Sequence, residues 1–208
     1  MKNVVVLISG RGSNMQALVQ AGIPAKVAAV VSNRPQAPGL GFAAQAGIPT
    51  AIVDDRDFAS RNEFEVALAR VTDRYSPAIV ALAGFMRILS GDFVRRYEGR
   101  LLNIHPSLLP SFPGLHTHRR ALEEGVKVHG CTVHFVTAEL DRGPIIAQAA
   151  VPVHADDTEE SLAARVLPQE HRIYPLAVRW FVEDRLVVQN GRVRVKSAEA
   201  EQALLVLE

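Results

Sequence analysis

Asn103 and His105 stand two residues apart at the end of a short apolar run, Leu101-Leu102-Asn103-Ile104-His105, ahead of a proline-rich stretch at 106–114. In an extended chain both side chains leave the same face. One supplies an amide donor for a developing oxyanion and the other an imidazole for proton transfer, two groups that suit a reacting carbonyl. Pro106, Pro110 and Pro113 exclude regular structure after the run. Taken alone, the pair reads equally as a turn-forming Asn beside a satisfied polar His. A second stretch, Ser9-Gly10-Arg11-Gly12-Ser13-Asn14, follows the β-branched run 4–8 and precedes a helix-compatible segment at 15–19. Strand, glycine turn and helix start together make an anion cradle, with Ser13 and Asn14 as extra donors or helix caps. The third glycine of the dinucleotide fingerprint and the Lys-Ser/Thr of a P-loop are both missing, so a monophosphate is the expected ligand.

Other candidates have blander readings. Asp141, in Asp-Arg-Gly-Pro, is a turn former unless a cationic partner is found for it. His116 and His118 lack a helical His repeat and cysteine partners, so no metal site is expected. Cys131 has apolar same-face neighbours and reads as buried packing. His134, beside Thr132, either faces a site or supports it from behind. Arg119-Arg120 reads as a solvated face.

The elements that must position these groups follow from the pattern. Apolar strands are expected at 4–8, 26–32, 50–53, 77–83 and 101–105. They alternate with helices at 15–19, 39–47, 60–71 and 90–97. Ser60 and Glu63 form a capping box for the third helix, with Phe64, Ala67, Leu68 and Val71 as its apolar stripe. Such alternation argues an α/β fold with a doubly wound, mostly parallel sheet. The apolar turn 84–89 would then lie at the strands' C-terminal edge, where ligands of open α/β sheets collect. A short helix is expected at 117–124, then strands at 129–136 and 145–153 that pair antiparallel, and a helix at 158–180 that Pro168 and Pro175 kink or split. Gln189-Asn190-Gly191 joins a hairpin, and the tail is a weak helix or disordered.

The 208 residues suffice for one domain with a sizeable core. A net charge of +1 and a single cysteine give no footprint for nucleic acid and no disulfide framework. No apolar stretch nears the ~20 residues that span a bilayer, and 4–8 is too short a run for a signal peptide. A cytoplasmic, soluble protein is expected.

Ser9 to Asn14, the run 83–89, Asn103 to Pro110, residues 141–144, Gln169-Glu170-His171 and Tyr174-Pro175 together resemble the folate-dependent formyltransferase family. The likeness spans nearly the whole chain. It implies a Rossmann-like formyltransferase fold in a single domain, residues 1–100 forming a nucleotide-phosphate half and 101–208 a catalytic and folate-binding half. It implies that the amine of glycinamide ribonucleotide attacks the formyl carbon of 10-formyltetrahydrofolate. Asn103 then donates to the oxyanion, His105 acts as general acid, and Asp141 orients His105 directly or through water. Gly12, Ser13 and Asn14 hold the phosphate, and Glu170 meets the glycinamide end. The folate contacts fall on Met86, Arg87, Ile88, Leu89, Asn103, Thr137, Ala138, Glu139, Leu140 and Asp141, with Arg61 toward the folate tail. The implied partners are these small molecules in a monomer or homodimer, with no metal, nucleic acid or membrane. The extra domains of the folate deformylases and of the methionyl-tRNA formyltransferases are not expected. Leu167-Pro168 departs from the family pattern just before Glu170.

Overall fold

A computed structural model describes residues 1–196, and the backbone of 204–206. The chain divides into two compact units, Met1–Asn103 and Ile104–Glu208.

The first unit is a parallel sheet with intervening helices. Its strands are β1 (Lys2–Ile8), β2 (Ala25–Ser32), β3 (Thr50–Ile52), β4 (Ile79–Leu82) and the start of β5 (Leu101–His105). Their order is β5-β4-β1-β2-β3, all parallel. Val4 to Ile8 and Ile79 to Leu82 are buried throughout, as continuous apolar runs should be in strands covered on both faces. The helices are α1 (Ser13–Gln20), α2 (Pro38–Gln45), α3 (Arg61–Asp73) and α4 (Gly91–Arg96). Pro38 is the first residue of α2, where its missing N–H costs nothing.

Two local expectations need correction here. The capping box of α3 is displaced: Ser60 Oγ accepts from Glu63 N at 3.2 Å, but the Glu63 carboxylate takes the N–H of Ala59, not that of Ser60. The buried face of α3 is Phe64, Glu65, Leu68, Ala69 and Thr72, so Ala67 and Val71 lie at its margin. Glu65 turns inward because it has partners there: it accepts from Ser90 N at 2.8 Å, from the Ser90 hydroxyl, and from Arg61 Nε at 3.0 Å.

The second unit holds α5 (Thr117–Glu123), β6 (Val128–Phe135), β7 (Ile145–Pro152) and α6 (Glu159–Val182). β6 and β7 pair antiparallel. α6 is one continuous helix of 24 residues with Pro168 and Pro175 inside it, so the expected split does not occur. Its inward face, including Leu162, Val166, Ile173, Tyr174 and Trp180, is fully buried, and that packing outweighs the hydrogen bonds the prolines forgo. β8 (Leu186–Gln189) and β9 (Arg192–Val195) form the expected hairpin. Asn190 and Gly191 both have positive φ, 50° and 72°, as a type I′ turn requires. Of the expected tail helix, only 204–206 is described, and it is a strand, β10 (Leu204–Val206), parallel to β7. The remaining tail positions lie outside the described residues. No helix of the described residues is long and apolar enough to cross a membrane.

Candidate functional site

In the first unit the candidates sit after strand C-termini. The loop after β1 reaches α1 through Gly12, whose φ of 71° is a glycine conformation. A Cβ there would lie 3.1 Å from Met15 Cε and 3.3 Å from Gly39 Cα, so a side chain would be both tight and strained by the positive φ. Ser13 and Asn14 do not cap the helix: the cap position is Gly12, with no side-chain bond, and both residues are the first of α1. The first intrahelical bond is Gln16 N to Gly12 O, which leaves the preceding amides of the first turn outside that ladder, as an anion site requires.

The turn after β4 carries Met86, Arg87, Ile88 and Leu89. Met86 is 71% exposed and Ile88 65%, so they are not core packing. Their exposure makes the turn a candidate surface for an apolar ring or partner. Ser9 fixes this turn twice: its N–H donates to Gly84 O at 3.2 Å and its Oγ accepts from Met86 N at 2.8 Å. Arg61, at the first turn of α3, pairs with Glu65 but keeps its side chain 46% exposed. Asn103, opposite Leu82 in the sheet register, ends this unit on β5.

In the second unit β5 delivers His105, which is 6% exposed. Its Nε2 lies 3.0 Å from Phe112 O. A carbonyl only accepts, so Nε2 carries a proton. Its Nδ1 lies 3.6 Å from Asp141 Oδ2, which places an acidic partner beside the nitrogen that no backbone group holds. Asp141 is more than a turn residue. Its backbone is left-handed (φ 53°), and its Oδ2 accepts from Gly114 N at 2.8 Å. His134 Nε2 approaches Asp141 Oδ1 at 3.8 Å, while His134 Nδ1 donates to Phe135 O at 2.8 Å. Burial pushes His134 below the usual histidine range.

Two residues that sequence reasoning missed hold the proline-rich stretch in place. Thr132 Oγ1 donates to Ser107 O at 2.6 Å and accepts from Leu109 N at 3.0 Å. Gln148 Nε2 donates to Leu109 O at 2.9 Å and to Thr132 Oγ1 at 3.0 Å. The available signal was a Gln within the apolar β7 run. Phe112, with a left-handed φ of 53°, is flanked by the Arg120 guanidinium at 5.6 Å and the His129 ring at 5.9 Å. Its carbonyl is thereby held beneath His105.

Residues Thr137, Ala138, Glu139 and Leu140 form the loop that leads to Asp141, with Leu140 52% exposed. A cavity of about 390 Å³ opens beside it, lined by Asp141, Arg142 and Arg192 among others. Glu170 lies on the buried side of α6. Burial, and then the charge of Glu170, push the Cys131 thiol far up, so Cys131 is inert packing. His118 Nδ1 and His129 Nε2 are 3.2 Å apart, and burial holds both below the usual histidine range, His129 at about 4. Among the described residues no group of three His, Cys, Asp or Glu side chains is arranged to hold a metal.

The formyl transferase family matches residues 2–178. The chain belongs to that family. It is 56% identical, over 91% of both chains, to Escherichia coli phosphoribosylglycinamide formyltransferase. It is 45% identical to the Haemophilus influenzae protein of the same name, over 92% of both. Among solved structures, glycinamide ribonucleotide transformylase 1 from Symbiobacterium toebii superposes with a TM-score of 0.92 at 51% identity, covering 95% of each chain. The formyltransferase fold expected from the motifs is therefore the fold of this chain.

Proposed function

We propose that this formyl transferase moves the formyl group of 10-formyltetrahydrofolate to the amine of 5′-phosphoribosylglycinamide, giving formylglycinamide ribonucleotide and tetrahydrofolate. The observation that carries the reading is Asp141 Oδ2 lying 3.6 Å from Nδ1 of His105, the residue two positions after Asn103 on β5. Attack of the amine on the formyl carbon creates an oxyanion, an ammonium that must lose a proton, and a folate nitrogen that must gain one. Asn103 donates its amide to the oxyanion, a charge that is larger in the transition state than in the substrate. His105 acts as the acid: Nε2 stays on the Phe112 carbonyl, and the Nδ1 proton, facing Asp141, is the one to exchange. Asp141 keeps the ring oriented and stabilises its charged form.

In this reading Gly12, Ser13 and Asn14 hold the ribose phosphate and Glu170 meets the glycinamide amine. Residues 86–89 and 137–141 take the pterin, with Arg61 toward the folate tail. Residues 1–100 then serve the nucleotide and 101–208 the catalysis and folate, within one formyltransferase domain. The chain works without metal or nucleic acid, as a cytoplasmic monomer or homodimer.

One assay tests the reading: loss of formyl-folate by the purified protein with and without glycinamide ribonucleotide. Loss that depends on the amine supports it, and loss without the amine makes the protein a hydrolase. Phosphorylated ribosylglycinamide should surpass its dephosphorylated nucleoside in kcat/KM, because remote phosphate contacts position the amine. Ser13→Glu should reproduce that loss. Efficient formylation of initiator methionyl-tRNA would reassign the acceptor.

A further inference from the structure

Five side chains on the strand-end edge of the first unit form a directed relay, and four of them, Ser9, Asn33, Arg34 and Asp55, have no part in the chemistry above. Ser9 Oγ donates to Asn33 Oδ1 at 2.6 Å. Asn33 Nδ2 donates to Asp55 Oδ1 at 2.9 Å. Asp55 also forms ion pairs with Arg34, Nη1 at 3.0 Å, and with Arg87, Nη1 at 3.4 Å. The directions are fixed. A carboxylate only accepts, so the Asn33 amide must point its NH2 at Asp55 and its oxygen at Ser9. The Ser9 proton is then committed to Asn33, which leaves a lone pair for the Met86 N–H. Asp55 thus sets the Asn33 amide, Asn33 sets the Ser9 hydroxyl, and Ser9 holds the turn at Met86. The same carboxylate grips that turn again at Arg87.

The burial pattern separates this relay from ordinary surface pairing. The Asp55 side chain is 8% exposed, whereas those of Arg34 and Arg87 are 41% and 39% exposed. The anchor is fixed and the anchored groups remain open to a ligand. Arg87 is further placed by the Phe64 ring, 5.9 Å from its guanidinium.

We infer that Asp55, through Asn33 and Ser9, is a positioning residue that pre-organises the 84–89 turn for the formyl donor. The inference rests on the reading of Met86 to Leu89 as donor-binding. A turn already held in its binding conformation takes the folate without an ordering cost.

The test is Asp55→Asn, with Ser9→Ala as a second variant that removes no charge. Two quantities are read: hydrogen exchange of the Met86 amide by NMR, and steady-state kinetics with both substrates. For Asp55→Asn, three links from that amide, exchange should rise about tenfold, and the KM for 10-formyltetrahydrofolate by a similar factor. The kcat and the nucleotide KM should stay within about twofold. In the double variant the folate effects should be less than additive, since both substitutions cut one relay. Unchanged Met86 exchange and unchanged folate KM in Asp55→Asn would overturn the inference. So would a parallel loss in kcat and both KM values with a lowered melting temperature, the mark of general damage. Should wild-type protein fail to turn over formyl-folate, the proposed function falls, while the exchange result still decides the relay. Should Asp55→Asn fail to fold, Ser9→Ala and Asn33→Ala decide it by the same readouts.

Discussion

Val4 to Ile8, Ala28 to Val31 and Ile79 to Leu82 of the first unit are buried without one polar side chain among them. β6 of the second unit is buried over most of its length too, yet it carries His129, Thr132 and His134 in mid-strand. In the first unit buried Glu65 and Thr72 lie on α3, and the strands keep polar side chains to their ends, in loops such as 9–14 and 84–89. The second builds them into the strand itself. All seven histidines of the chain also lie beyond Asn103. Polar atoms in a strand interior are costly unless they find partners; Thr132 Oγ1 has three, whereas His129 Nδ1 has none among the described residues. The two units differ in where polar groups are tolerated: past the strand ends in the first, within the strand in β6 of the second.

The largest expected effect falls at the junction of the two patterns. Asn103→Ala should lower kcat by ~10²–10³, about 3–4 kcal/mol, with nucleotide affinity nearly intact, since an oxyanion donor acts mainly in the transition state. Near-normal kcat with lost binding would make Asn103 a loop-building residue.

Glycines probe the packing side of the comparison. A Cβ on Gly143 would lie 1.7 Å from Phe135 O, whereas one on Gly10 meets nothing within 4 Å. Gly143→Ala should cost about 3 kcal/mol in urea denaturation, at the upper end for overpacking, and Gly10→Ala less than about 1 kcal/mol. Equal costs would erase the contrast between the tight site at Gly143 and the open one at Gly10.

Thr132→Val keeps the shape and removes the hydroxyl that serves Ser107, Leu109 and Gln148. Left unsatisfied in the interior, those groups should destabilise the protein by about 2 kcal/mol. The stretch 106–110 should lose hydrogen-exchange protection first. Protection lost evenly over the chain would argue against Thr132 as the local anchor.

The smallest effect is with pH. Burial, and then the neighbouring His118, depress His129 from 6.5 to about 4, and burial lowers His118, His134 and His171 as well. Their unfolded forms bind protons that the folded forms refuse, so stability rises with pH across this window. It is complete above about pH 6.5 and drains away as pH falls toward 4. The melting temperature should be a few degrees lower at pH 5 than at pH 7.5, with exchange protection lost in the second unit before the first. Asp54, held at about 2 by hydrogen bonds from Arg56, belongs to a lower window. Its contribution is present above the usual carboxylate value and goes only as pH falls toward 2. A flat melting profile between pH 5 and 7.5 would show that these histidines are not buried neutral.

Local chemistry made much of this protein legible in one dimension. Five parallel strands were readable because runs such as Val4 to Ile8 leave no alternation to mistake. The hairpin was readable because Asn-Gly suits positive φ at two successive positions. The placement of Asn103 and His105 on one strand, and of the glycine loop between β1 and α1, was readable because both are short-range geometry. Tertiary structure decided the rest. Pro168 and Pro175 argued for a broken helix, and only the packing of Trp180, Tyr174 and their neighbours explains why α6 runs through them. Asp141 was a turn residue or an ion-pair partner until His105, 36 positions earlier in the chain, was found 3.6 Å away. The Ser9 hydroxyl holds Met86 across a separation of 77 residues, and Thr132 holds Leu109 across 23. Such bonds depend on which strands become neighbours, and that is settled by burying whole apolar faces together.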